Sequence, residues 1–255
     1  PKGVEIRPLL EEAKRQLHAE ADYALEASYI KRYQALLTGE QDFLLPQVYD
    51  DFTTTNILAM SYVGGAPVEQ LAYRPQAERD RVMTLLLRLL FREIFEFRLV
   101  QTDPNFANYR YDCDTQQLVL LDFGATREYP EAVAEGYRQV MQGAIRQDYA
   151  LMDAGATQIG FFQAYIKPEQ RTAVLALFAQ ACEPLRYQGV YDFGTSNLAA
   201  RIRDAGMALS AEQDYWHTPP ADALFFHRKL GGLYLLAAKL RARVDVANLF
   251  AQVCA

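Results

Sequence analysis

The sequence predicts an α+β fold in which a small part, one long helix with short strands, leads into a larger part that is mostly helical. Three observations carry this expectation. Across residues 8–37, Leu9, Leu10, Ala13, Leu17, Ala21, Leu25 and Tyr29 recur mostly three or four apart, the period of a helix with one apolar face. Between residues 46 and 121, short apolar runs bounded by Pro, Gly and Asp read as strands and turns around one further helix. From residue 131 onward helical periodicity dominates. The expected division is residues 1–63 for the small part and 64–255 for the helical part.

The elements follow in order. Pro8 is tolerated in the first turn of the 8–37 helix, and Gly39 ends it. Pro46 opens an extended segment with strands expected at Val48 to Asp50 and Ile57 to Val63, the second stopped by Gly64-Gly65. Residues 78–99 read as a helix whose Leu85, Leu86, Leu89, Leu90, Ile94 and Phe95 belong to the core. A polar turn at Tyr111-Asp112-Cys113-Asp114-Thr115 then joins two short strands. Further helices are expected at 131–146, 148–157, 168–182, 195–207, 221–241 and 245–253.

The chemistry concentrates between Phe97 and Arg127. Asp103 and Asn108 stand five apart on a Pro-containing loop, and Asp122 opens an Asp-Phe-Gly triplet after the apolar run Leu118 to Leu121. An Asp-x-x-x-x-Asn loop followed by Asp-Phe-Gly is the arrangement of a protein kinase. One Asp orients the nucleophile or accepts its proton. The Asn turns back to hold Mg²⁺, and the second Asp holds Mg²⁺ against a triphosphate. The hairpin between Asn108 and Asp122 would set the two metal ligands side by side. The competing reading makes Asp103-Pro104 a helix cap and Asp122 the start of a β-turn. A second triplet, Asp192-Phe193-Gly194, has neither a buried strand before it nor a partner loop upstream, and reads as a turn.

On a kinase-like plan, the backbone of Ser61, Tyr62 and Val63 would face the adenine, with Met60 at the back of the pocket. An ordinary edge strand is the alternative. Glu20 and Glu26 on the long helix are candidates for pairing with a phosphate-gripping Lys, or are simply solvated helix charges. Only Ala125 to Tyr129 separate Gly124 from Pro130, and no Ala-Pro-Glu follows, so a platform for docking a peptide is not expected. His227-Arg228-Lys229-Leu230-Gly231-Gly232 reads as a helix face with a close-packing Gly pair rather than a catalytic cluster.

Composition narrows the classes. The chain has 255 residues, half of them apolar, enough for a sizeable core. A net charge of −6, with no basic cluster, argues against nucleic-acid binding. Three scattered cysteines and three unpaired histidines exclude a zinc site or a disulfide framework and fit a reducing compartment, cytoplasm or mitochondrial matrix. The most apolar stretch, Val82 to Phe97, is interrupted by Arg88, Arg92 and Glu93, so it reads as a buried helix and not a membrane span.

Taken together, Gln101-Thr102-Asp103-Pro104-Asn105 with Asn108, and Leu121-Asp122-Phe123-Gly124-Ala125-Thr126-Arg127-Glu128-Tyr129, resemble the UbiB (AarF/ADCK) family of atypical kinases. Glu20-Ala21-Asp22-Tyr23 with Glu26-Ala27 resembles the family's Glu-x-Asp helix, and His227-Arg228-Lys229 extends the likeness across essentially the whole chain. Gln101 and Asn105-Phe106-Ala107 stand closer to the mitochondrial coenzyme Q branch than to bacterial members. The resemblance implies a protein-kinase-like fold that binds ATP or ADP with Mg²⁺ and supports ubiquinone biosynthesis. It implies contacts with a quinone-precursor lipid, with biosynthetic enzymes and with a membrane surface. It assigns Asp103 as the catalytic Asp and Asn108 and Asp122 as metal ligands. Glu26 becomes the partner of the nucleotide-binding Lys, while Glu20 and Asp22 meet the family's N-terminal extension. That extension, the Ala-rich nucleotide loop and the Lys all precede the long helix in the family. The chain, which starts at Pro1, is therefore expected to be a fragment, with Arg127 a candidate substitute cation. A catalytically defective scaffold, or an aminoglycoside or choline kinase-like phosphotransferase, are the alternatives.

Overall fold

A computed structural model describes residues 14, 21–162, 166–211 and 220–254. Glu20 and most of the segment before it lie outside the described residues. The first described helix, α1 (Tyr23–Leu36), starts where Asp22 turns its carboxylate onto the N–H groups of Ala24 and Leu25. An Asp with extended backbone that accepts these bonds is an N-cap, so the expected unbroken helix over 8–37 is interrupted at Asp22. The buried face of α1 is Glu26, Ala27, Ile30 and Tyr33.

After α1, β1 (Phe43–Leu44) and β2 (Ala66–Pro67) are two residues each. Between them the expected strands at Val48–Asp50 and Ile57–Val63 do not form. Only isolated bridges, Val48 to Met60 and Thr54 to Ile57, join the two arms. The cause is local: residues Asp50–Phe52 tighten into a 3₁₀ turn, and the Thr53 hydroxyl bonds the Tyr49 carbonyl. Such side-chain bonds offer the backbone an alternative to a ladder. At Gly65, φ is +98° and an added Cβ would lie 3.0 Å from the Tyr111 carbonyl, so the chain can enter β2 only through glycine.

Helix α2 (Gln76–Arg92) carries the core residues Val82, Met83, Leu85, Leu86, Leu89 and Leu90 and continues as a π-helical turn, Glu93–Phe97. Arg98, at φ +53°, stops the helix, and Leu99 begins β3 (Leu99–Gln101) instead of extending α2. Next come β4 (Tyr109–Asp112), β5 (Gln117–Leu120) and β6 (Thr126–Glu128). One sheet has the order β1-β5-β4-β2, and β3 pairs antiparallel with β6 in a second. The helical part contains α3 (Glu131–Arg146), α4 (Tyr149–Gln158), α5 (Pro168–Ala181), the one-turn α6 (Glu183–Arg186), α7 (Leu198–Ala211), α8 (Ala221–Lys239) and α9 (Val246–Cys254). A two-stranded ribbon, β7 (Tyr191–Asp192) with β8 (Arg243–Val244), ties α6 to the end of α8.

Behind the β3–β6 pair lies a buried polar cluster. Glu93, 1% exposed, forms an ion pair with Lys229 of α8, 3% exposed. The Tyr33 hydroxyl donates to Glu93 Oε1 at 2.7 Å, and the Gln101 N–H donates to the Tyr33 oxygen at 2.9 Å. Burial pulls the pKa of Lys229 down, and the Glu93 charge offsets part of that fall. Three helices and the strand leading to Asp103 therefore meet on one carboxylate.

Removing one partner of such a pair leaves a buried charge unmatched. Lys229→Met should cost about 3–5 kcal/mol of stability. Adding Glu93→Gln, which keeps an acceptor for Tyr33, should recover part of that loss. Urea unfolding of the two variants measures both, and a single-variant loss below about 1 kcal/mol would mean the pair is not structural.

Candidate functional site

Two loops form the site, and each is clamped at both ends. The first, 102–108, leaves β3 and enters β4; the second, 121–125, leaves β5 and enters β6. At one end Gln101 pairs with Thr126, and both the N–H and the hydroxyl of Thr102 donate to the Ala125 carbonyl, at 3.1 and 2.6 Å. At the other, Tyr109 pairs with Leu120, and the Leu121 N–H donates to the Asn108 carbonyl at 3.1 Å. The β4–β5 turn is closed by Asp112 Oδ1, which accepts from the N–H groups of Asp114 and Thr115. The hairpin expected from the sequence is present.

Within this frame Asn108 Nδ2 donates to Asp103 Oδ2 at 2.7 Å. The Asp103 carboxylate is thus oriented by the residue five ahead of it. Asp122 Oδ1 accepts from the Gly124 N–H at 3.0 Å, and Glu26 Oε1 of α1 accepts from the Phe123 N–H at 3.2 Å. A Cβ placed on Gly124 would lie 3.5 Å from both Asp122 Oδ1 and Glu26 Oε2, so the two carboxylates converge on one point. Burial, with the Asp122 charge added, holds the Glu26 carboxyl above the ordinary carboxylate range, against the pull of the Phe123 N–H. Tyr23, Glu26, Asp103, Asp122, Gly124, Ala125 and Arg228 line a polar cavity of about 450 Å³.

Among the described residues no three His, Cys, Asp or Glu side chains gather to hold a metal by themselves. Mg²⁺ does not require it, since it binds through one or two carboxylates with waters and phosphate oxygens. The Asp122 carboxylate and the Asn108 amide both carry hard oxygens of the kind Mg²⁺ takes.

The remaining candidates fall elsewhere. Met60, Ser61, Tyr62 and Val63 do not line this cavity, and they are an extended loop rather than the expected strand. Ser61 is committed to Gln47, its N–H to the Gln47 carbonyl and its hydroxyl to the Gln47 N–H, while Tyr62 is 91% exposed. Asp22 is the helix cap described above. Arg127, the expected substitute cation, donates instead to Asp222 at 2.9 Å. Asp192 Oδ1 caps the turn that follows it through Gly194 and Thr195, as read from the sequence, although Tyr191 and Asp192 also form the short strand β7. The expected helix-face reading of residues 227–232 was incomplete. Arg228 lines the acidic cavity, Lys229 is the buried partner of Glu93, and His227 faces a different cavity. A Lys on the buried stripe of Phe226, Leu233 and Leu236 was the signal available in the sequence, since such a position demands a partner.

That different cavity is larger, about 660 Å³, and apolar, lined among others by Tyr137, Phe178, Met207, Phe226 and His227. No carboxylate lines it, whereas Glu26, Asp103 and Asp122 line the smaller one.

A strand-bearing part, a helical part and paired Asp-x-x-x-x-Asn and Asp-Phe-Gly loops define a protein-kinase-like chain. Residues 1–154 match the model of the ABC1 atypical kinase-like domain. The chain belongs to that family, the UbiB or AarF/ADCK atypical kinases, and to its coenzyme Q branch. It is 31% identical over 253 residues to a Danio rerio protein named atypical kinase COQ8B, mitochondrial, covering 99% of this chain and 40% of the relative. It is 32% identical over 250 residues to the Rattus norvegicus protein of that name, covering 98% and 47%. It is 30% identical over 258 residues to Saccharomyces cerevisiae atypical kinase COQ8, mitochondrial, covering 100% and 51%. The chain thus spans about half or less of these relatives. Among solved structures, the Rv3197–erythromycin complex from Mycobacterium tuberculosis matches with a TM-score of 0.74 at 19% identity, over 99% of this chain and 62% of that one. That likeness concerns the fold. No helix among the described residues is long and apolar enough to cross a membrane.

His227 offers a pH test of the helical part. Its ring accessibility is to the apolar cavity, and burial lowers its pKa from 6.5 to about 4. The neutral ring is therefore the folded form. Its contribution is complete above about pH 6.5 and is lost as the pH falls towards 4, a span worth about 3 kcal/mol. His227→Phe should flatten the stability profile between those values, and parallel profiles would remove His227 from the account.

Proposed function

We propose that this chain is the catalytic and metal-binding portion of a Mg·ATP-binding atypical kinase, an ATPase or a small-molecule or lipid kinase, that supports ubiquinone biosynthesis. What supports the reading most is the doubly clamped pair of loops, with Asp103, Asp122 and Glu26 lining one polar cavity and Asn108 bonded to Asp103 beside it. Bound there, Mg²⁺ and a nucleoside triphosphate would supply an electrophilic terminal phosphoryl group. Asp103, oriented by Asn108, would accept the proton of the attacking hydroxyl or water. Asp122 and Asn108 would hold the cation. Glu26, docked on Phe123, would present its free oxygen to a Lys brought to the cleft. Met60, Tyr62 and Val63 remain candidates for the adenine edge, with Ser61 serving as the anchor of their loop. The names of the COQ8 relatives favour a mitochondrial setting, with quinone-precursor lipid, biosynthetic enzymes and a membrane surface as partners. The short strand β6, followed directly by α3, favours a small acceptor over a docked peptide.

Asp122→Asn in the full-length protein should abolish most of the thermal stabilisation given by Mg·ATP while leaving the apo melting point near wild type. Asp192→Asn should leave the stabilisation untouched. Equal stabilisation of wild type and Asp122→Asn would mean the metal assignment is wrong.

Asp103→Asn tests the other loop. It should slow ATP turnover by about 10²–10⁴ with little change in ATP affinity. Unchanged turnover would make Asp103 a loop cap.

A further inference from the structure

Helix α8 comes from the far end of the chain, yet it touches the first loop and the strand into which the second loop runs. Asp222 receives Arg127 from β6, and its carbonyl accepts the Tyr129 hydroxyl at 2.8 Å. Lys229 holds Glu93. A Cβ on Gly232 would sit 2.8 Å from Pro104 Cβ, so only glycine lets the helix press against the loop that carries Asp103. Residues 228 and 232 are one helical turn apart and share a face. The contact at Pro104 therefore places residue 228 beside Asp103, and Arg228 does line the cavity with Asp103 and Asp122.

Arg228 is the one cationic side chain among the described residues lining that cavity, where Glu26, Asp103 and Asp122 supply three carboxylates. It is exposed, and its guanidinium lies 5.7 Å from the centroid of the Phe225 ring. That ring also carries Arg127 at 4.5 Å. An arginine on an aromatic ring, one turn from a rigid loop contact, is held close to position before any ligand arrives.

We infer that Arg228 binds the terminal phosphoryl group of the nucleotide, making α8 part of the active site. The inference rests on the nucleotide reading proposed above. The position follows from the neighbours: Asp103 acts where the nucleophile meets the terminal phosphorus, and Asp122 holds the cation that joins the last two phosphates. A guanidinium fork matches phosphate oxygens in pairs and offsets charge that grows on them during transfer. Arg228 then distinguishes a triphosphate from a diphosphate, because the diphosphate lacks the group it contacts.

The test compares wild type, Arg228→Ala and Arg228→Lys in the full-length protein, by calorimetric titration with Mg·ATP and Mg·ADP and by steady-state ATP hydrolysis. Arg228→Ala should weaken Mg·ATP about tenfold or more, leave Mg·ADP near wild type, and lower turnover by about 10²–10³. Arg228→Lys should recover only part, since the charge returns without the fork. Melting points should stay within a degree or two, because the residue is exposed. If wild type binds and hydrolyses Mg·ATP and Arg228→Ala behaves identically, or weakens both nucleotides equally, the assignment of Arg228 is overturned and the nucleotide reading stands. If wild type binds neither nucleotide while Lys229 and Glu93 remain intact, both are overturned.

Discussion

The ion pair of Glu93 with Lys229 is the constraint on which the site depends. Two charges removed from water are tolerable only with good geometry and further hydrogen bonds. Here Tyr33 of α1 donates to Glu93, and the Gln101 N–H reaches the same cluster. The last residue of β3 before the Asp103 loop is thereby fixed to α1, α2 and α8 at once. The π-helical turn at Glu93–Phe97 belongs to this device, since it ends α2 on Glu93 and lets Arg98 redirect the chain into β3. From β3 the order passes outward through hydrogen bonds to Ala125 and Thr126, and so to the Asp122 loop.

The same logic explains why α1 matters to a site that it touches at few points. Glu26 and Tyr33 lie two turns apart on its buried face. One binds the Phe123 N–H at the cleft, and the other binds Glu93 behind it. Tyr33 also packs against Phe123, with ring centroids 4.7 Å apart. Shifting α1 would disturb the Asp-Phe-Gly loop and the buried pair together. Two-point attachment of this kind makes the helix either fully seated or displaced.

The parts of the site legible in the sequence were those whose chemistry imposes spacing. The hairpin that brings the Asp103 and Asp122 loops together could be read because the Asp-x-x-x-x-Asn and Asp-Phe-Gly spacing brackets two short strands, and the Asp112 turn joins them. Core helices were legible through their period. Two-residue strands such as β1 and β2 leave no period to detect, and the apolar run Ile57–Val63 looked like a strand although Thr53 and Ser61 hold it as a loop. The end of α2 was overrun because Arg98 and Leu99 carry no Pro or Gly stop signal, and a left-handed Arg announces itself only in coordinates. Arg228 and Lys229 were seen together as polar, but which of two adjacent residues turns inward depends on how α8 packs.

The match to the ABC1 family model stops at residue 154, whereas α8 begins at residue 221. A protein cut to the matched span would keep every residue of the two motif loops and lose the helix that supports them. Glu93 would keep its charge in an apolar surround without a counter-ion, and the open side of the Asp103 loop, where Gly232 presses on Pro104, would face water. The boundary of the family model thus leaves out a helix that packs on the motif loops. For chains of this kind, a segment cloned to the family-model boundary leaves out the helix that braces its own motif loops.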